Sequence, residues 1–472
     1  MSSTFSGLNT ALSALQAQRR GLDVTGQNIA NANTDGYSRQ RVDLQAVGGS
    51  TIPAMYAIAP NTAGGVATLD VTRIQDTFLE AQGRAEHAQN AYLADQQVTY
   101  SRIEMAYGEP SDTALLSQLS DFWSSMHGLT NNPGDLAART QALGRGTEVA
   151  TGLRAANDSL TTFWNTTRTQ LDMSATAINT SADSIGQLNQ AILRASSAGL
   201  PANELSDQRD TEVRKLAEMT GASAAAQSDG TVNLYLSGSS LVNGSIVRHV
   251  QPVGATAISG VVAAPAGLRW QDNSSPAIIG GGAVGSALQT LNTVIPASVA
   301  RLDTVAVSLA TAVNTQHQLG YDLNGNPGKA FFTGTGPTIT AATIGVAITD
   351  PRELAASASA GVDAAGNPVG NLDGSNADKL ASLATGPNSP DATYRALVAD
   401  LGVASQAASR QAGIQASVTK DIDSARLSQS GVSLDEEMTN MLSYQRAYEA
   451  AGRLLTTLDG VLDTLINHTG RG

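Results

Sequence analysis

The sequence predicts a mainly α fold with inserted β structure: paired N- and C-terminal coiled-coil helices, a long-helix bundle domain and a small outer β domain. Three observations carry this. Phe5, Leu8, Leu12, Leu15, Arg19, Leu22, Gly26 and Ile29 recur at alternating intervals of three and four, a heptad seam broken only by Arg19 and Gly26. Leu434, Glu437, Met441, Tyr444, Tyr448, Ala451, Leu455, Leu458, Leu462 and Leu465 repeat the spacing at the far end. A lone amphipathic helix of this length is marginal in water, so the two stripes are expected to meet. Third, residues 220–285 exchange helical periodicity for short alternating runs between turn signals, such as Asp229-Gly230 before Thr231–Leu236.

In chain order, the first helix should stop between Asn31 and Gly36, residue types that tolerate left-handed backbone. Residues 1–37 and 430–472 are therefore expected to form a terminal helical domain, and 38–70, with β-branched residues and Gly/Pro punctuation, an extended connector with short strands. A bundle domain is expected from 71–219 and 286–429. Its helices should span Val71–Tyr107, Leu115–Met126, Leu136–Ala198, Glu204–Met219, Ser286–Gln318 and Arg395–Ser428. Asn131-Asn132-Pro133-Gly134 makes a turn, with Asp135 as an N-cap. Residues 320–394 are irregular, with one strand at Thr343–Ile348 and short helices near Arg352 and Ala377. The inserted β domain is 220–285.

Composition narrows the function classes. Across 472 residues the net charge is -13, which opposes a phosphate-tracking surface, so nucleic acid is not an expected partner. Without cysteine there is neither a disulfide framework nor a thiolate metal site. The N-terminus lacks the basic start and apolar run of a secretory signal, and no stretch reads as a membrane span; the closest is Ala255–Leu268, broken by Gly and Pro.

Candidate chemistry is sparse. Gly280–Gly285 satisfies G-x-G-x-x-G, but the acidic residue at the right distance, Asp303, falls inside a helix rather than at a strand end, so a Gly-rich turn is expected and no cofactor. Asp322–Pro327 opens like an EF-hand loop, yet Pro327 holds the position that needs Gly and Thr333 the one that needs Glu, which leaves a tight turn. His87, His127, His249, His317 and His468 show no metal spacing. Asp435-Glu436-Glu437, at the start of a helix, reads as dipole complementation. No catalytic constellation is found, so no enzyme is expected.

The termini carry a resemblance. Asn28-Ile29-Ala30-Asn31-Ala32-Asn33-Thr34-Asp35-Gly36-Tyr37 resembles the N-terminal signature of the flagellar rod, hook and hook-associated proteins. The continuation Ser38-Arg39-Gln40 is similar to the hook-associated protein 1 branch, as is Ser430–Asn467, with Asp435-Glu436-Glu437 its distinguishing variant. The segments Ala202–Asp210, Asp229–Val242, His317–Phe332 and Asp350–Ser357 resemble the same branch, so nearly the whole chain is covered in order. Many members carry a further outer domain after Phe332; here only residues 333–394 precede the helix expected at Arg395, leaving room for a minimal one.

The resemblance implies a structural protein of the bacterial flagellum, an adaptor ring joining hook to filament outside the cell, exported without a cleaved signal peptide. Implied partners are further copies of itself, the hook protein, the second hook-filament junction protein, a flagellar export chaperone over the C-terminal helix, and the type III export apparatus. The expected assembly interface is Phe5, Leu8, Leu12, Leu15, Leu22, Ile29, Met441, Tyr444, Tyr448, Leu455, Leu458, Leu462 and Leu465. A rod or hook protein is the nearest alternative; a cytoplasmic coiled-coil signalling adaptor would not explain the paired terminal motifs.

Overall fold

The computed structural model describes residues 4–47, 64–336 and 338–468. Helix α1 (Thr4–Ala30) stops before the Asn31–Gly36 turn, where Gly36 has φ +80°, a conformation that strains any residue with a Cβ. Helix α10 (Leu434–Asp463) begins behind Ser433, whose hydroxyl accepts from the Glu436 amide, and carries Asp435, Glu436 and Glu437 in its first turn.

The two helices run antiparallel in constant register. A Cβ on Gly7 would touch Leu458 at 3.2 Å, one on Gly21 would stand 2.6 Å from the Tyr444 ring, and Asn28 Nδ2 donates to Glu437 Oε2 at 3.0 Å. The α1 side of the seam is therefore Gly7, Gly21 and Asn28, with Ala11 and Thr25 buried on the same spacing. The leucine row lies one position on: Leu8, Leu15, Leu22 and Ile29 are half-buried and Leu12 is exposed. Small side chains let the helix axes approach, and a search for apolar period passes over a seam made of them. On α10, Ala451 is buried, Met441, Tyr444, Leu455, Leu458 and Leu462 are half-buried, and Tyr448 is exposed. The side chains of Phe5 and Leu465 lie outside the described residues.

Strands β1 (Gln40–Val47) and β2 (Gly65–Arg73) pair antiparallel with a bulge between Asp43 and Leu44; residues 48–63 of the expected connector lie outside the described residues. Val42 and Val71 close over Val24 of α1 as a small separate core. The helix expected from Val71 starts later, because Val71-Thr72-Arg73 complete β2 and Asp76 caps α2 (Thr77–Tyr107), accepting from the Phe78 and Leu79 amides at 2.8 and 3.2 Å. The β-branched pair is taken up in strand pairing with β1, and the Asp76 cap sets the helix start.

Helix α2 lies along α9 (Pro390–Ser430), and α3 (Leu115–Asn131), α4 (Leu136–Ser197) and α5 (Asn203–Thr220) complete the bundle. Trp123 and Trp164 are buried with their indole N–H groups satisfied, by Asp391 Oδ1 at 2.7 Å and the Leu291 carbonyl at 2.9 Å. The inserted β segment forms two antiparallel sheets. One has four strands: β3 (Ser223–Ala226), β4 (Val232–Leu236), β5 (Ser239–Asn243) and β6 (Ile246–Val247). The other has three: β7 (Val250–Val253), β8 (Gly267–Trp270) and β9 (Pro276–Ala277). Two asparagines of α4 hold them: Asn189 brackets the backbone N–H and C=O of Val232, and Asn179 does the same for Val250. Leu234, Leu236 and Trp270 join Leu160, Trp164 and Ile178 in one continuous core.

The glycine-rich turn leads into α6 (Gly282–Gln289), where a Cβ on Gly282 would meet the Met219–Thr220 backbone at 2.5 Å; the close approach of α5 accounts for glycine there. A π turn at Thr290–Val294 joins α6 to α7 (Ile295–Gln318). The stretch Gly282–Gln318 is long and apolar enough to cross a bilayer, which corrects the choice of Ala255–Leu268 as the nearest candidate. Leu302, Val305, Leu309 and Val313 of that stretch are buried in the protein core. Farther on, β11 (Gly345–Val346) is much shorter than the strand expected at Thr343–Ile348 and pairs with β10 (Phe332–Thr333). A second short hairpin, β12 (Gly361–Val362) with β13 (Pro368–Val369), precedes α8 (Ser375–Ser382). Asp322 Oδ1 accepts from the Asn324 and Asn326 amides, both at 2.8 Å, in a side-chain-closed turn.

His317 is fully buried, its Nδ1 donating to the Lys329 carbonyl at 2.6 Å and its Nε2 accepting from the Ala355 amide at 2.8 Å, an arrangement that requires the neutral ring. Burial pushes its pKa down to about 4, with the Arg139 charge adding to the shift and the Lys329 contact opposing it. Between that value and the ordinary ~6.5, the unfolded chain binds more protons, so stability rises with pH. Acidifying from pH 7 to 4 should remove up to about 3 kcal/mol at this position. Urea midpoints against pH should show a shallower slope in His317→Gln; equal slopes would rule the account out.

Candidate assembly site

The terminal motifs converge on one joint, and Asn28 is its centre. Its Oδ1 accepts from Tyr37 Oη at 2.9 Å and the Gln40 amide at 3.0 Å, while Nδ2 donates to the Gln40 carbonyl at 2.9 Å and Glu437 Oε2 at 3.0 Å. All four hydrogen-bonding positions of the amide are used at a buried site, and only asparagine offers two donors and two acceptors on so short a stem. The bond to Glu437 fixes which oxygen faces the motif strand.

Arg39 closes the joint from the other side. Its Nε and Nη2 meet Glu437 Oε1 at 2.8 and 2.7 Å, and its Nη1 meets Glu436 Oε2 at 2.7 Å. Burial works against the Arg39 charge, but the contacts to Glu436 and Glu437 outweigh it and raise its pKa. All three acids stand in the first turn of α10 as dipole complementation requires, but Glu437 is 2% exposed, so that reading is incomplete for it. It is a buried ion-pair partner; Glu436 is exposed and shares Arg39, and Asp435 is exposed. The Arg39 amide donates to the Ser430 carbonyl at 3.1 Å, so the end of α9 is tied to the same point.

Helix α5 supplies the floor. Ser38 N donates to Asp207 Oδ2 at 3.2 Å, and Arg73 of β2 reaches Asp207 and Asp210, both at 2.9 Å. Asn203 donates to the Val71 carbonyl at 2.7 Å and to Gln40 Oε1 at 3.2 Å. Gly36 passes so close to α5 that a Cβ would lie 2.3 Å from Thr211 Oγ1. Tyr37 is pushed up to about 12 by burial, with Asp207, Glu204 and Glu437 adding to it, and so stays a neutral donor to Asn28. Asn31 closes the preceding turn, donating to the Gln27 carbonyl at 3.0 Å and accepting from Thr34 at 3.2 Å, while Asn33 is exposed.

The structure thus brings together Asn28, Tyr37, Ser38, Arg39, Gln40, Glu436 and Glu437. Sequence reasoning missed Arg73, Asn203 and Asp207. The Ala202–Asp210 segment was conspicuous, but nothing in it announces that its acids face the N-terminal motif. Among the described residues no group of three His, Asp or Glu is gathered as a metal would need.

Comparisons with known proteins agree with this architecture. The model described as flagellar hook-associated protein FlgK helical domain matches residues 100–332. Those described as flagella basal body rod protein and flagellar basal body rod FlgEFG protein C-terminal match 8–37 and 423–468, the two helical segments that meet at the joint. Flagellar hook-associated protein 1 of Bacillus subtilis (strain 168) is 33% identical, with 100% of both chains covered. That of Escherichia coli (strain K12) is 26% identical over 98% of this chain and 99% of its own. The flagellar hook junction protein FlgK from Burkholderia pseudomallei shares the fold, with a TM-score of 0.64 and 19% identity over 74% of this chain and 100% of its own. Similarity to the Bacillus protein over the full length of both chains, together with terminal motifs that fold into one joint, places the chain in the flagellar hook-associated protein 1 family.

Proposed function

We propose that the protein is a structural component of the hook-filament junction, assembling as an adaptor ring through its paired terminal helices. One observation carries the reading: pairing α1 with α10 consumes the small-residue seam and leaves apolar rows uncovered on both helices. Leu12 on α1, and Leu434, Met438 and Leu442 on α10, are 46 to 58% exposed. Such rows find cover on neighbouring copies, and head-to-tail contacts of one subunit generate rings or helical tubes. The half-buried leucines of α1 and, of the expected α10 residues, the exposed Tyr448 would line those contacts. The hook protein and the second hook-filament junction protein would abut the ring on its two faces.

Passage through the type III export apparatus without a cleaved signal peptide, and a chaperone over α10 before export, follow from the same reading, since an uncovered stripe needs shielding in the cytoplasm. Leu12→Asp with Leu442→Asp tests it, because both side chains are exposed and the fold should survive. The double variant should show wild-type circular dichroism and exchange protection in the bundle, yet fail to hold filaments. Normal filament attachment would sink the reading.

A further inference from the structure

We propose that the cleft between α2, α5, α9 and the Asp35–Ser38 turn is a binding site for a single oxyanion, gripped by Arg84 and Arg214. The cleft holds about 270 Å³ beside the joint, with Tyr37, Arg84, Arg214 and Arg426 in its walls. These cations are not equivalent. Arg426 is fully engaged, with Nε and Nη2 on Glu80 at 2.9 and 2.8 Å and Nη1 on Asp423 at 3.3 Å. Arg214 reaches only Asp35, at 3.3 Å, and that carboxylate is 85% exposed. Among the described residues Arg84 has no hydrogen bond or ion pair at all.

The carboxylates acting on Arg84 are committed elsewhere: Glu80 to Arg426, and Asp210 to Arg73 and Arg209. Burial holds the Arg84 pKa below its ordinary value despite them, with the charges of Arg426 and Arg209 adding to the shift. A guanidinium keeps its proton even so, and its planar fork matches a carboxylate or phosphate with two parallel bonds. Asp35, Glu80, Asp210 and Asp423 also line the cleft, and their charge would repel a polyphosphate or nucleic acid. The ligand class is therefore one carboxylate or one small phosphate.

Two sources share that chemistry: a free anion, or an acidic side chain of a second copy of this chain. The second rests on the ring reading above; the first does not. Calorimetric titration of the full-length monomer with inorganic phosphate and with acetate, in low-chloride buffer, is run on wild type, Arg84→Gln and Arg84→Lys, alongside filament attachment in cells making each. For a free anion, wild type titrates saturably, Arg84→Gln binds about tenfold more weakly, Arg84→Lys falls between, and filaments stay attached. For a subunit carboxylate, Arg84→Gln keeps wild-type exchange in α2 and α9 but sheds filaments, and Arg84→Lys restores them. An Arg84→Gln protein that titrates and attaches like wild type overturns the proposal. Arg214→Gln, at the cleft rim, repeats the comparison if Arg84→Gln does not fold. Because the titration uses monomer, it stands whether or not the ring reading does.

Discussion

Arg39→Ala is expected to free the base of α10 from the rest of the protein. The substitution strands Glu437, 2% exposed, with only the Asn28 amide as a side-chain polar partner among the described residues. Breaking a buried ion pair from one side costs about 3–5 kcal/mol, because the remaining charge keeps its desolvation penalty without its counterion. Arg39 is itself 18% exposed, which places the loss toward the lower end. Amide exchange should accelerate at residues 28–40 and 434–441 while α4 and the two sheets keep their protection, since their core lies elsewhere. Adding Glu437→Ala should recover part of the loss, giving a coupling energy that a double-mutant cycle can read. Additive single effects, or unchanged exchange in Arg39→Ala, would contradict the joint.

Gly21→Leu should part the terminal helices, and Gly26→Ala should do the opposite. At Gly21 even a Cβ would stand 2.6 to 2.8 Å from three atoms of the Tyr444 ring, so the ring must swing out or the axes separate. Overpacking of this kind costs about 1–3 kcal/mol locally, and separation spreads the loss along a seam of glycine and alanine with little reach to re-form contact. At Gly26 nothing lies within 4 Å of the added carbon, so alanine there should gain roughly 0.5–1 kcal/mol from helix propensity. Urea midpoints from exchange at α1 amides should move in opposite directions for the two variants. A shift of the same sign in both would mean that the seam is misplaced.

The legibility of the chain varied with the kind of residue carrying each feature. Helix α4 was predicted to within a residue at its end, because Asp135 caps it and nothing breaks 62 residues of pattern. Helix α2 was misplaced at its start, because Val71-Thr72-Arg73 suit either element until β1 supplies a partner. The terminal motifs were conspicuous as text, yet the dipole reading of Asp435-Glu436-Glu437 missed the role of Glu437, since its counterion lies 398 positions away in Arg39. On α1 the leucines signal where apolar surface is, and spacing alone does not show that Gly7 and Gly21 bring the α10 side chains Leu458 and Tyr444 into contact range.

Periodicity, capping residues and turn chemistry by themselves determined that the chain is mainly helical with a β insertion and amphipathic helices at both ends, because these are local properties of a few consecutive residues. The tertiary structure alone decided that Asn28, Arg39 and Glu437 form one joint on a floor of Asp207 and Arg73, and that Gly7 and Gly21 lie in the contact between the terminal helices. Those outcomes depend on which distant surfaces pack together and on how closely two backbones can approach, and neither is a property of a local stretch of sequence.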